Sequence, residues 1–221
     1  MLPYTFEVFS LDHIVSIIVI LFLFIIFLGY NDKIGIEDDS KTFLIVLSVL
    51  MIFLDLSEDL VRSLTGYYSI TKDLPLQLCS IGVYLAAFNL IFYWGFVGAT
   101  NAILTPDGDL FELRIFFFYS QGYHAALIFA VLWMMIKYDM RMDYRSILQV
   151  VIYTNIIVGL ITIVNYILDS NYMFLRVMPN SISPFLMGEW PIYIIMVQVF
   201  SVVLVVLFIS IQNYLLKPVN I

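Results

Sequence analysis

The chain has 221 residues, of which 62% are hydrophobic and only 12% are charged. A soluble domain is usually about half apolar and a quarter charged, so this composition indicates a membrane protein. The formal net charge of −7 argues against nucleic acid as a partner and against a polybasic patch for anionic lipid surfaces.

The apolar runs are long enough to cross a membrane as helices. About 20 helical residues span the roughly 30 Å hydrocarbon core of a bilayer. The short alternating segments of a membrane β-barrel do not occur in the sequence. We therefore predict an all-α fold, a polytopic membrane helix bundle of six or seven transmembrane helices, in a single integral membrane domain over residues 1–221.

The first two predicted spans cover about 14–29 and 42–60. The acidic residues before the first span are unlike the basic start of a cleaved signal peptide. The second span carries charges at its end, where Glu58 and Arg62 lie four positions apart and share a helix face. We expect this end to emerge into water; a buried ion pair lining a cavity is the alternative.

The next stretch, 74–105, is a nearly unbroken apolar run of 32 residues. It is too long for one straight span and too short for two full spans joined by a turn. We predict a full helix over 74–93 and then a short or re-entrant helix over 94–105, which contains Gly95 and Gly98. Such segments persist in a bilayer where they pack inside protein or line a wet cavity. The span count is seven if the second segment crosses and six if it does not.

Three further spans are predicted over about 113–136, 147–168 and 192–215. The connection between the last two, 169–191, is rich in Pro, Gly, Met and aromatic residues. The positive-inside rule places the loop after the first of these spans in the cytoplasm. The basic residues of that loop are Lys137, Arg141 and Arg145. With seven spans the N-terminus then lies outside and the C-terminus inside; with six, both lie inside.

Two reactive side chains, Cys79 and His124, fall at membrane depth. Groups of this kind are costly in a bilayer and suggest a function by default. At 1.5 Å per residue they lie about 8 and 16 Å inside their predicted helices, so either topology allows them similar depths. An imidazole can deprotonate a thiol near neutral pH, and the thiolate can attack an ester carbonyl. The alternative is that Cys79 is a small buried hydrophobic residue.

Other polar residues are candidates for supporting roles. A third group normally orients the base of such a pair, and the candidates are Asn89, Asn165 and Asp169. Gln77 and Gln121 could equally be hydrogen-bond partners between helices. His13, at the start of the first span, is expected to be interfacial. The sequence has no zinc-ligand spacing, P-loop or nucleophile elbow, so we predict neither a metal nor a cofactor.

Four segments carry a resemblance to a known family. They are LPLQLC (74–79), FYWGFVGATNAILTPD (92–107), FFFYSQG (116–122) and NYMFLRVMPNSISPFLMGEWPIYI (171–194). In this order they resemble the YwaF family of bacterial integral membrane proteins. That family is similar to the eukaryotic transmembrane-protein-164 acyltransferases, which move fatty acyl chains between phospholipids.

The resemblance implies a multi-pass protein of the bacterial plasma membrane that uses phospholipids as acyl donor and acceptor. It implies Cys79 as the nucleophile and His124 as the base. The family usually reads LPLHLC, so Gln77 stands at a histidine position, and Gln121 stands where the family often has histidine before glycine. The residues predicted to bind substrate or orient the base are Gln77, Gln121, Asn165, Asp169, Asn171, Tyr172 and Trp190.

A second function class remains open at this point. The interrupted segment 94–105 and the Pro- and Gly-containing part of the loop, 178–191, are also typical of membrane proteins without catalysis. The alternative is therefore a small-solute carrier, or a subunit that binds partner membrane proteins. The distance between Cys79 and His124 in the folded chain bears directly on this choice.

Overall fold

A computed structural model describes residues 4–31, 38–85 and 91–215. The described residues form helices and no strand, which confirms the predicted all-α fold. The main elements are α1 (Leu11–Asn31), α2 (Asp38–Thr65), α3 (Leu78–Leu85), a π-helix (Ile91–Gly98), α4 (Ala99–Leu104), α5 (Arg114–Tyr138), α6 (Tyr144–Leu168) and α7 (Ile192–Leu215). Short 3₁₀ helices cover Gly108–Leu110 and Tyr172–Phe174.

Four of these helices are long and apolar enough to cross a membrane, namely α1, α5, α6 and α7. Their outward faces expose large apolar side chains, such as Phe22 on α1 and Leu160 on α6. An apolar outer surface of this extent is stable in lipid and not in water. The finding agrees with the predicted membrane helix bundle.

The segment around Cys79 differs from its prediction. The predicted helix over 74–93 is replaced by α3, which starts only at Leu78, and by a second helical segment that starts at Ile91. Pro75 explains the late start of α3, because proline restricts the residue before it to extended backbone. The second segment, the π-helix followed by α4, packs against α3 and starts earlier than the predicted 94–105. Residues 86–90 lie outside the described part of the chain.

Gly95 explains how closely the π-helix approaches α5. A Cβ atom at this position would lie 2.9 Å from Cγ of Leu127, closer than real carbon atoms approach. The missing side chain therefore lets Leu127 fill the space beside the π-helix. π-helical turns are rare and occur frequently at functional sites.

Several long-range contacts connect helix ends that lie on the same side of the bundle. We call this side the loop end. His13 on α1 hydrogen-bonds the carbonyl of Ile103 on α4 at 2.8 Å, and Arg62 near the end of α2 pairs with Glu112 before α5. The Tyr172 hydroxyl after α6 donates to the carbonyl of Ile70. The starts of α1 and α5 thus lie with the ends of α2, α4 and α6.

The opposite end of the bundle is defined by contacts of the α5–α6 connection. Gln212 near the end of α7 donates to the carbonyl of Met142 at 3.2 Å, and Tyr144 hydrogen-bonds Ser210 at 2.9 Å. Consecutive segments therefore alternate in direction, as the seven-span alternative requires. The basic cluster Lys137, Arg141 and Arg145 flanks or lies in this connection, so the positive-inside rule predicts that the loop end faces outward.

Candidate functional site

A cavity of about 470 Å³ lies between the helices and reaches the loop end. Ligand pockets for small molecules usually measure about 300–1,000 Å³. Its walls come from α2, α3, the π-helix, α4, α5, α6 and α7, and from the 169–191 loop. Cys79 and His124 both line it, so the structure brings the two predicted reactive residues to one site.

Cys79 is the second residue of α3 and faces the π-helix. Its Sγ lies 4.0 Å from the carbonyl oxygen of Trp94, and a Cβ on Gly98 would lie 3.6 Å from the same sulfur. The first intrahelical bond of α3 joins Ile81 N to Gln77 O at 3.0 Å. Amide groups in this first turn have no earlier helical carbonyl to bond, and they favour negative charge beside them.

His124 lies on the α5 wall of the cavity, half-buried. Its Nδ1 is 2.7 Å from the backbone oxygen of Ser120 and 3.3 Å from the hydroxyl oxygen of the same residue. A carbonyl oxygen only accepts, so we assign the hydrogen to Nδ1. In that tautomer Nε2 carries the lone pair and can accept a proton.

Cys79 and His124 sit at similar depths without touching. Gly98, beside the sulfur, is seven residues from Thr105 at the loop end, and His124 is ten residues from Arg114, or about 10 and 15 Å. Tyr123, the neighbour of His124, packs on the same apolar cluster as Cys79. Across the described chain no hydrogen bond joins the thiol and the imidazole. Proton transfer between them therefore requires a bridging water or a change of rotamer.

The charged end of α2 lines the same cavity, which overturns the expectation that it emerges into water. Arg62 is 5% exposed, and its guanidinium lies 2.9 Å from Glu58, 2.9 Å from Glu112 and 3.6 Å from Asp73. It also stacks on the ring of Phe116, 4.0 Å from the centroid. The buried ion pair that was the alternative is the correct reading. The connections after α2 and before α5 cover this helix end and supply counter-charges.

Two carboxyl groups before α5 illustrate the electrostatics of the loop end. Burial acts to raise the pKa of Glu112, but the hydrogen bond from Lys72 and the charge of Arg62 outweigh it and lower the pKa. Burial raises the pKa of Asp107, which lines the cavity near its mouth. Cationic partners therefore lower the pKa of Glu112, whereas burial raises that of Asp107, whose carboxylate accepts from the backbone N–H of Asp109.

The two glutamines have different surroundings. Gln77 lines the cavity, and its Oε1 accepts a hydrogen bond from the backbone N–H of Met173 at 3.0 Å. Gln121 is buried, and its Oε1 lies 3.4 Å from the hydroxyl of Ser16 on α1. Gln77 thus ties the start of α3 to the 169–191 loop, whereas Gln121 joins α5 to α1 and is not among the cavity-lining residues.

The predicted residues at the end of α6 hold the following loop in shape. Asn165 is fully buried; its amide donates to Tyr172 O at 2.9 Å, and its Oδ1 accepts from Tyr172 N at 2.7 Å and from Ser170 at 2.9 Å. Asp169 caps α6 in left-handed backbone and pairs with Arg176 at 2.7 Å. These side chains stabilise the loop and do not line the cavity.

The remaining predicted residues of the loop also serve its backbone. Asn171 accepts from the N–H groups of Arg176 and Val177. Tyr172 is buried and accepts from Leu74 N at 3.0 Å. Trp190 is exposed and donates to Leu175 O at 2.8 Å. None of the three predicted residues lines the cavity, and Asn89 lies outside the described residues.

Two polar residues of the cavity wall, Gln198 and Ser201 on α7, were not predicted from the sequence. Asp55 and Asp59 also line the cavity, as expected if the charged end of α2 lines a cavity. The signal available for Gln198 was its position inside an otherwise apolar span, where a polar group needs a partner or a cavity. His13, expected at the interface, is instead fully buried and bonded to α4.

Among residues 4–31, 38–85 and 91–215 no group of three or more His, Cys, Asp or Glu side chains could hold a metal ion. A family model described as the TMEM164 family matches residues 8–209, which is most of the chain. No curated protein and no solved structure matches it.

Proposed function

We propose that this chain, which belongs to the TMEM164 family, is a membrane-embedded acyltransferase or lipid hydrolase that uses the thiol of Cys79. We place it in the bacterial YwaF branch and in the bacterial plasma membrane, and its substrates are phospholipid acyl chains. The observation that carries the proposal is one cavity lined by Cys79, at a helix N-terminus, and by His124, with Nε2 as its proton acceptor.

The reaction has two halves. In the first, the Cys79 thiol gives its proton to Nε2 of His124, through a bridging water or after a change of rotamer, and the sulfur attacks the carbonyl carbon of a phospholipid ester. The ester carbon–oxygen bond breaks, the departing lysophospholipid oxygen takes the proton from His124, and the acyl group remains as a thioester. In the second, an acceptor hydroxyl gives its proton to His124 and attacks the thioester carbon; the carbon–sulfur bond breaks, and His124 passes the proton to the departing sulfur, which restores the thiol. Water as the acceptor gives hydrolysis.

The surroundings of the thiol support each half. A lone thiolate is unfavourable in a cavity of low dielectric, so transfer of the proton to His124 must accompany the attack. The carbonyl of Ser120 keeps His124 in the tautomer that can receive this proton. Backbone amides in the first turn of α3 offer donors to the oxyanion that forms beside Cys79.

The test compares the unsubstituted protein with Cys79→Ala in proteoliposomes that contain a phospholipid and a labelled lysophospholipid. We expect acyl transfer to the labelled acceptor to fall at least a thousandfold in the variant, with an unchanged thermal unfolding midpoint. The chain has one cysteine, so an acyl probe should label the unsubstituted protein at one site and leave the variant unlabelled. Full acyl transfer by Cys79→Ala contradicts the proposal.

A small-solute carrier is the second candidate, because three carboxylate residues of α2 line the cavity. These residues are Asp55, Glu58 and Asp59. A carrier predicts saturable uptake of a cationic solute into proteoliposomes, and it predicts that Cys79→Ala takes up the solute as well as the unsubstituted protein does. Uptake that depends on Cys79 contradicts the carrier.

A further inference from the structure

Gln198 and Ser201 on α7 line the cavity but take no part in the thiol chemistry. In sequence they are the only polar side chains of α7 between Tyr193 and Ser210. They lie three positions apart, so they share one face of the helix. Their distance from the start of α7 is about 9 to 14 Å, a depth similar to that of Cys79 and His124.

Two other serines in the long helices, Ser48 and Ser210, satisfy their hydroxyl groups within their own helix. Ser48 donates to Leu44 O at 2.8 Å, and Ser210 donates to Val206 O at 2.7 Å. A bond to the carbonyl four residues back removes the cost of a hydroxyl at membrane depth. Ser201 makes no such bond.

Gln198 likewise has no hydrogen-bond partner in the part of the chain that the structure describes, although it is half-buried. A glutamine amide has two N–H donors and one acceptor oxygen, and a serine hydroxyl adds a donor. Leaving these groups unused at membrane depth is unfavourable unless water or a ligand meets them in the cavity.

Packing places this part of α7 against the elements that carry and surround the thiol. Val202, next to Ser201, packs on the cluster that contains Trp94, whose carbonyl oxygen lies 4.0 Å from Sγ of Cys79. Ile194 of α7 and Ile81 of α3 pack on a second common cluster. This part of α7 therefore runs alongside α3 and the π-helix, and its polar face adjoins the wall that carries Cys79.

We propose that Gln198 and Ser201 form a subsite that donates hydrogen bonds to the ester oxygens of a diacyl glycerophospholipid. Ester oxygens only accept, which matches the N–H and O–H donors of this pair. The basic residues that line the described cavity, Arg62 and Lys72, both pair with Glu112 at the loop end, so the α7 wall suits a neutral polar group. That the bound ester is the one attacked by Cys79 rests on the proposed function. Binding of the lipid by Gln198 and Ser201 does not depend on it.

The experiment measures lipid binding by native mass spectrometry, with Cys79→Ala throughout so that no reaction occurs. The two probes are a diacyl phosphatidylcholine and its diether analogue, which lacks the ester carbonyls. A neutral hydrogen bond changes affinity about two- to tenfold, so we expect the diester to bind about tenfold tighter than the diether. Adding Gln198→Met and Ser201→Ala should remove this preference without weakening diether binding.

Ser210→Ala is the matched control, since it removes the same hydroxyl from the same helix outside the cavity. It should keep the diester preference. Methionine has nearly the volume and helix propensity of glutamine, so we expect the double variant to fold; if it does not, Ser201→Ala alone should lower the preference about threefold. Equal binding of the two lipids, or a preference that survives the substitutions, overturns the subsite. A diester preference without acyl transfer by the unsubstituted protein would refute the thiol chemistry and leave the subsite standing.

Discussion

The cavity wall around Cys79 and the 169–191 loop use their polar groups in opposite ways. On the wall, Cys79, His124 and Gln198 line the cavity. In and beside the loop, the side-chain amides of Asn165 and Asn171 hydrogen-bond the backbone of residues 170–177. Both regions carry the family resemblance, so resemblance alone does not separate a binding residue from a structural one. The hydrogen-bond partners do.

The largest effect that this comparison predicts is on catalysis at His124. Asparagine can keep a donor to the Ser120 carbonyl but lacks the Nε2 lone pair, so His124→Asn should lower acyl transfer about 10²- to 10⁴-fold. Trp190→Phe, in the loop, removes only a donor to Leu175 and should change the rate less than threefold. Both rates are measured in the proteoliposome assay per folded protein. Equal losses of acyl-transfer rate in the two variants would contradict the assignment of His124 to the site and of Trp190 to the loop structure.

The second prediction concerns the stability of the loop. Asn165→Leu leaves the buried N–H of Tyr172 and the hydroxyl of Ser170 without their acceptor. It also leaves the Tyr172 carbonyl with only the N–H of Leu175 at 3.4 Å. These losses should cost about 2–5 kcal/mol of unfolding free energy. The folded fraction should retain acyl transfer, because Asn165 does not line the cavity. Thermal unfolding in detergent measures the loss, with the less buried Asn171→Ala as control at about 1 kcal/mol. A stable but inactive Asn165→Leu would make Asn165 part of the site.

The third prediction tests the close packing of the wall. Gly95→Ala brings a Cβ to 2.9 Å from Leu127 and should cost about 1–3 kcal/mol. The same change should cost less in a Leu127→Ala background, because the clashing atoms are gone. Gly159→Ala on α6 is the control: it meets nothing within 4 Å and should be neutral or stabilising by about 0.5–1 kcal/mol. Additive costs at 95 and 127 would contradict the contact.

The smallest effect concerns the connection that joins the wall to the loop end. The folded-state pKa of Glu112 lies below its usual value of 4.5, so its carboxylate contributes stability above that value. The contribution is lost as the pH falls through the lower folded-state pKa. The unfolding midpoint of Glu112→Gln should therefore lie below that of the unsubstituted protein at pH 7, and the gap should close below about pH 4. A gap that widens toward low pH would reverse the assigned shift.

Much of the architecture was predictable because membrane helices are a local property. The starts of the predicted spans at 113 and 192 fall within one residue of α5 and α7. The matched depths of Cys79 and His124 followed from counting residues along helices. The prediction was weakest over 74–105, where uniform hydrophobicity contains no signal for the break between α3 and the π-helix.

The partners of the polar side chains were not predictable, because they come from distant parts of the chain. Arg62 has the counter-ion expected four residues earlier, but Glu112 comes from fifty residues away. The buried His13 hydrogen-bonds the carbonyl of Ile103, ninety residues later. Neither pairing leaves a periodic pattern in the sequence. The sequence around a charged helix end is therefore the same whether that end faces water or contacts another loop.

Hydrophobic length and helix periodicity by themselves determined that this chain is a membrane helix bundle with a thiol and an imidazole at similar depth. The tertiary structure alone decided which polar groups face the cavity and which stabilise the fold. The physical reason is that a membrane span depends on the hydrophobicity of consecutive residues in the sequence. A buried polar group instead requires one specific hydrogen-bond partner in space. Gln121 and Gln198 both lie within membrane spans, yet one joins two helices and the other faces the cavity.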